Sequence, residues 1–178
     1  MILIFGFIFI GTFLRLLPTP PNFAPIGALA LLGGAFLSNK RLAILLPLGA
    51  LFLSDLIFQL TFMAGIQPIK GFYGMMPFVY LSFIFIVLAG RSILKKVSFS
   101  RLVGGGLAAS IIFFTVSNFG VWLTGFYTYS LAGLGASYAA AIPFFHYNVL
   151  GDLSFTFVLF GAFYMIKSYH PAFQKVTS

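Results

Sequence analysis

The chain has 178 residues, of which 61% are hydrophobic and only 7% charged, with a mean hydropathy of +1.09 and a formal charge of +8. Soluble domains carry about 25% charged residues, so this composition excludes a water-soluble fold and makes lipid the solvent. Cysteine is absent, which excludes disulfides, thiolate metal sites and cysteine nucleophiles, and the positive charge reads as basic cytoplasmic loops, with no nucleic acid as partner.

The apolar runs are continuous and not alternating, which predicts spanning helices and not barrel strands. A span needs about 17–25 residues. The first run, "MILIFGFIFIGTF", has no basic residue ahead of it and no small-residue cleavage site, so it reads as a retained helix 1 over 2–17 and not as a signal peptide. Then comes "RLLPTPPNFAPIGALALLGG", where Pro18, Pro20, Pro21 and Pro25 stop helix 1 and hold the backbone extended. Non-helical backbone at membrane depth is tolerated only when it is buried in protein or lines water. This elbow is therefore expected to form the wall or lid of a site, with Asn22 near the start of helix 2 as a cap. Helix 2 is predicted at 25–38, helix 3 at 42–62, helix 4 at 73–94, helix 5 at 101–124 and helix 6 at 147–167, with the tail "SYHPAFQKVTS" in water. The stretch 125–146, "GFYTYSLAGLGASYAAAIPFFH", has a small-residue run that is short for a span and is expected to be a re-entrant or interfacial segment on the outer side. The fold class is thus an all-α integral membrane protein, a single domain over 1–178 with six transmembrane helices.

The charges orient this arrangement. Lys40, Arg41, Arg91, Lys95, Lys96, Arg101, Lys167 and Lys175 fall on one side of six spans, and only Arg15 and Lys70 on the other. The basic side is expected to be cytoplasmic, with both termini inside. The expected location is a bacterial inner membrane.

Polar residues converge in the opposite half. Asp55 and Gln59 share a face of helix 3, Tyr73 and Tyr80 a face of helix 4, Asn118 and Trp122 a face of helix 5, and Asn148 and Asp152 the first turns of helix 6 after His146. A charge at membrane depth costs about 2.5–3.5 kcal/mol and normally faces a protein interior or a wet cavity. With Arg15, Asn22 and Phe23 of the elbow, these residues are the candidate ligand-binding set, in one outward-facing cavity with aromatic walls. Arg15 and Lys70 are expected to balance Asp55 and Asp152, and the two aspartates are expected to act alike. Structural alternatives remain for each: ion pairs for the aspartates, interfacial belts for Tyr73, Tyr80 and Trp122, and an interface anchor for His146.

Other patterns carry less. "GALALLGGA" puts Ala30 and Gly34 four apart, which is a packing surface. Gly104 to Gly106 lack the lysine of a phosphate loop. "NF" at Asn22 and Asn118, and "L-x-D-L-x-F" from Leu53 and Leu150, would place both aspartates on one side, unlike an inverted repeat. No metal site, cofactor motif or complete catalytic motif is present, so an enzyme is not expected; "VLGD" before Asp152 lacks the first glycine of the G-x-G-D pattern of intramembrane aspartyl proteases.

The segments "RLLPTPPNFAPIGALALLGGAFLSNKRLA", "SNFGVWLTG", "SLAGLGASYAAAIPFF" and "LGDLSFTFVLFG" resemble an uncharacterised bacterial family of small multi-pass proteins labelled as transport proteins. That family is in turn similar to the S components of energy-coupling-factor vitamin transporters. The resemblance implies a six-helix bundle that captures a vitamin-like small molecule from outside, with an energising membrane module as partner. Helix 1 has no alanine, only Gly6 and Gly11, where S components commonly show an A-x-x-x-A packing motif. The leading expectation is a substrate-capturing transport protein in the lipid bilayer. The alternatives are an accessory or scaffold protein of an envelope complex and, behind it, an intramembrane enzyme using two aspartates as acid and base.

Overall fold

The computed structural model describes residues 2–169; Met1 and the tail from His170, including Lys175, lie outside the described residues. Among the described residues there are six helices and no strand: α1 (Ile2–Leu14), α2 (Ile26–Phe36), α3 (Lys40–Met63), α4 (Met76–Ile93), α5 (Phe99–Leu123) and α6 (Leu131–Tyr169). Helices α3 to α6 are each long and apolar enough to cross a membrane. With 13 and 11 residues, α1 and α2 are shorter than that.

Local chemistry sets the helix ends. Asn39 caps α3 by accepting from the backbone N–H of Arg41 and Leu42, so α3 starts two residues before its expected position. Ser98 does the same for α5 through the N–H of Arg101. Helix α4 begins at Met76 and not at Tyr73, because Pro77 occupies its first turn. Helix α1 stops at Leu14, three residues early, and tightens into i→i+3 bonds from Leu16 to Phe13 and from Leu17 to Leu14.

Helix α2 is the centre of the molecule. Its residues Ile26 to Gly34 are all buried, and it packs on every other helix. Eleven residues make about 16 Å, roughly half the 30 Å of a bilayer core. The small residues of "GALALLGGA" are what admit it. The missing Cβ of Gly34 lies against the backbone of Val87 and Arg91 in α4, and that of Gly90 lies 2.8 Å from the carbonyl of Leu31. Backbone meets backbone there, as at small-residue membrane interfaces. Arg91 completes the joint by donating from Nη1 to the carbonyl of Leu37 and from Nη2 to that of Ser38, both at 2.9 Å, which satisfies the open C-terminal end of α2.

The expected break between helices 5 and 6 is corrected. From Leu131 onward the segment 125–146 is not a separate piece before helix 6; it is the first part of α6, a continuous helix of 39 residues with Pro143 inside it. Residues 131–146 run antiparallel along the second half of α5. Tyr138 donates to the carbonyl of Thr115 at 2.7 Å, and the Phe114 ring meets Tyr138 and Phe145. Proline inside a membrane helix is tolerated because neighbouring groups take up the freed carbonyl. The small-residue run lowers hydropathy but allows close approach: the missing Cβ of Gly133 lies against the carbonyls of Tyr127 and Thr128.

The long helices alternate in direction. Tyr80 near the start of α4 meets Asp55 late in α3, Phe83 meets Phe113, and Phe99 at the start of α5 meets Phe157 of α6. One end of the bundle therefore gathers Phe36, Lys40, Arg41, Arg91, Lys95, Lys96, Arg101 and Lys167. The elbow, Lys70 and the α5–α6 turn lie at the other.

Candidate functional site

The elbow does not cap α2 as expected. Asn22 sits at φ 65, in a turn closed by the Phe23 N–H on the Pro20 carbonyl at 3.0 Å. Asparagine tolerates this left-handed region better than most residues. The N-cap of α2 is Pro25, with no side-chain cap. The first N–H groups of α2 thus have no side-chain cap among the described residues.

Beneath the elbow lies a cavity of about 450 Å³. It is lined by Arg15, Asn22, Phe23 and Gly27, by Phe83 and Phe113 from α4 and α5, and by Asn148 and Asp152 of α6. A second cavity of about 300 Å³ adjoins it, sharing Asn22, Tyr73 and Asn148 and adding Asn118. Both volumes together are those of a small-molecule site. Tyr73 belongs to the loop ahead of α4; desolvation and, behind it, the Asp55 charge push its phenol above the ordinary value, so it remains a neutral donor.

The two aspartates occupy unlike environments. Asp55 is 1% exposed and lines neither cavity. Arg15 Nη1 lies 2.6 Å from its Oδ1, and Tyr80 donates to its Oδ2 at 2.8 Å. Arg15 also donates to Ser54 at 2.5 Å and rests over the Phe58 ring. This cluster ties the end of α1 to α3 and α4. Breaking a buried pair by removing one partner costs about 3–5 kcal/mol, so loss of Asp55 is expected to weaken the fold.

Asp152 has no such partner. Its Oδ2 accepts from Ser110 at 2.7 Å and from Asn148 at 3.3 Å, and it is 5% exposed. No ion pair and no hydrogen bond to Oδ1 occur among the described residues; Oδ1 lies where a Cβ on Gly27 would stand, at the start of α2. Ser110 is near the middle of the 25-residue α5. Asp152 is therefore at mid-depth and not in the first turns of its helix, because α6 starts at Leu131. The expected balance of two cations against two carboxylates is also corrected. Arg15 serves Asp55, and Lys70 is exposed, with Nζ over the Phe62 ring.

Other expected site residues are turned elsewhere. Gln59 Oε1 accepts from the Phe72 N–H, pinning the α3–α4 loop, and Trp122 Nε1 donates to the Ser130 carbonyl, closing the α5–α6 turn. His146 is exposed, its ring 3.9 Å from that of Tyr147. Tyr80 is taken by Asp55. These four line neither cavity. Asn118 lines the second cavity while donating to the Phe114 carbonyl.

Sequence reasoning missed two groups that line the first cavity and the serine that holds Asp152 behind it. Ser110 is a single hydroxyl in "LAASIIFF", and mid-span depth was its only signal. Gln67 and Ile69 line the first cavity from a loop that Gln67 braces by bonding both the N–H and the carbonyl of Ile69.

Among the described residues no cluster of three or more His, Asp or Glu side chains stands ready to hold a metal, and nothing points to catalysis. No curated protein and no solved structure matches the chain. One family profile does match, over residues 1–173. The chain therefore belongs to DUF6580, a family of unknown function, whose extent takes in the whole of this helical bundle.

Proposed function

We propose that this membrane protein captures a small molecule in the cavity beneath the elbow and passes it across the bilayer. One observation carries the reading: the cavity runs from a rigid polar elbow to a buried carboxylate without a cation, under the bare N-terminus of a half-length helix. Discontinuous helices whose ends meet at mid-depth are the usual way transporters build a substrate site. A purely structural protein has no use for an uncompensated carboxylate beside a cavity, given its cost of about 2.5–3.5 kcal/mol.

In this reading the chain crosses the membrane six times, the elbow and α2 together making the second crossing. The basic end is cytoplasmic in a bacterial inner membrane, and the cavity opens outward. The resemblance to S components supports capture from outside. Their helix 1 alanine motif is replaced here by Gly6, which faces open space, and Gly11, whose missing Cβ is filled by Leu29 of α2. An energising partner would therefore contact a different surface from the one that S components commonly use.

The test is native mass spectrometry of the protein released from nanodiscs. A co-purifying small molecule, lost when Asp152 is replaced by asparagine, is expected. A stable protein partner with no small molecule would instead support an accessory role in an envelope complex.

A further inference from the structure

Resting on that reading of the cavity, we propose that its ligand carries a protonated amine, and that the ammonium group pairs with Oδ1 of Asp152. The chain has only two acidic residues, and the other, Asp55, is already matched by Arg15. The start of α2 offers Asp152 a partial charge of about +0.5. No side-chain cation lies against Asp152 among the described residues, so the chain itself supplies no cationic partner for that carboxyl group.

The two donors Ser110 and Asn148 both bind Oδ2, while Oδ1, packed against Gly27, accepts no hydrogen bond among the described residues. A side chain at position 27 would collide with that oxygen, so glycine there is what lets the carboxylate stand against the start of α2. The walls suit an organic cation. Phe113 lies one turn along α5 from Ser110 and meets the ring of Phe83, and both line the cavity. Aromatic faces attract ammonium groups. A hard metal ion wants six or more oxygen ligands, and one carboxylate with a serine and an amide falls short of that.

Depth adds a length. The contact of Phe83 with Phe113 places the α4 residue level with Ser110 near Ile86, six residues beyond Tyr80. The Arg15 guanidinium, also on the cavity wall, thus sits about 9 Å above Asp152 along the bundle. Its Nη1 is engaged by Ser54 and Asp55, and no hydrogen bond reaches its Nη2 among the described residues. A ligand with an ammonium at one end and an acceptor roughly 9 Å away meets both.

The experiment compares 2-phenylethylammonium, neutral 2-phenylethanol and anionic 3-phenylpropionate as probes, by their shift of thermal unfolding in phosphatidylcholine nanodiscs. The ammonium is expected to bind about tenfold or more tightly than the alcohol of the same shape. Asp152→Asn should erase that preference. The comparison on the unaltered protein stands even if the variant fails to assemble. Equal binding of all three, or preference for the propionate, overturns the amine assignment but leaves a ligand-capturing cavity. Absence of any binding, with no co-purifying molecule, overturns both. Repeating the titration with phosphatidylethanolamine in the discs separates a soluble amine from a lipid headgroup: competition by the lipid assigns the same ammonium chemistry to the headgroup.

Discussion

At the scale of single residues, Asp55 and Asp152 show how little a residue type says without its neighbours. Both are buried carboxylates on long helices. One is held by Arg15 and Tyr80, the other only by a serine and an asparagine. Their substitutions should therefore diverge. Asp55→Asn leaves Arg15, 18% exposed, with an uncompensated charge, and should lower stability by about 3 kcal/mol. Asp152→Asn removes a charge that no cation matches, and should leave stability unchanged or raise it by about 1 kcal/mol, within the cost of a charge at that depth. Thermal unfolding in detergent measures both. Equal losses would mean that Asp152 is a structural member too. The structure does bring Arg15, Asn22, Phe23, Tyr73, Asn148 and Asp152 to one cavity and Asn118 to its neighbour, but Asp152 lies deeper than its place after His146 implied. The direction in which a side chain turns was not legible. Tyr80 and Gln59 stand at the right height and point at Asp55 and at the loop.

At the scale of elements, helices α1 to α5 were read to within three residues at each end, and the residues that set the true ends are clear in hindsight. Polar and basic turn residues such as Asn39 and Ser98, and the prolines of the elbow and of position 77, mark boundaries by their own backbone chemistry. Helix α6 was misread because alanine and glycine lower hydropathy while raising packing density, and hydropathy alone cannot weigh the second effect. Its continuity has a direct consequence for labelling. Tyr129, 70% exposed, precedes the helix, whereas His146 lies about 22 Å along it from Leu131. A single cysteine at Tyr129 should react with a membrane-impermeant maleimide from the outer side, and one at His146 should be shielded by lipid. Equal labelling at both would mean that the first half of α6 leaves the bilayer.

At the scale of the whole molecule, the bundle is polar in charge as well as in shape. Arg91 and Arg101 spend their guanidinium groups on backbone carbonyls at the basic end, around the junctions of α2 with α3 and of α4 with α5. Lys40, Arg41, Lys95 and Lys96 remain exposed beside them. By the positive-inside rule such an end is expected on the side where the chain is made. A fluorescent reporter joined after Ser178 should glow in the cytoplasm, and a phosphatase at the same place should be inactive; the reverse pair would invert the molecule and turn the cavity inward.

The Arg91 clamp on Leu37 also has a bearing on how the chain is born. The two residues are 54 apart in sequence. At about 5–20 residues per second, a ribosome needs roughly 3–11 s to travel between them. During that interval α2 has been synthesised but lacks the glycine and arginine that will receive it, and it is too short to rest in lipid alone. The nascent chain must shelter it, in the insertion machinery or against α1 and α3, until α4 arrives. The half-length helix at the heart of the site is thus an early segment with a late destination.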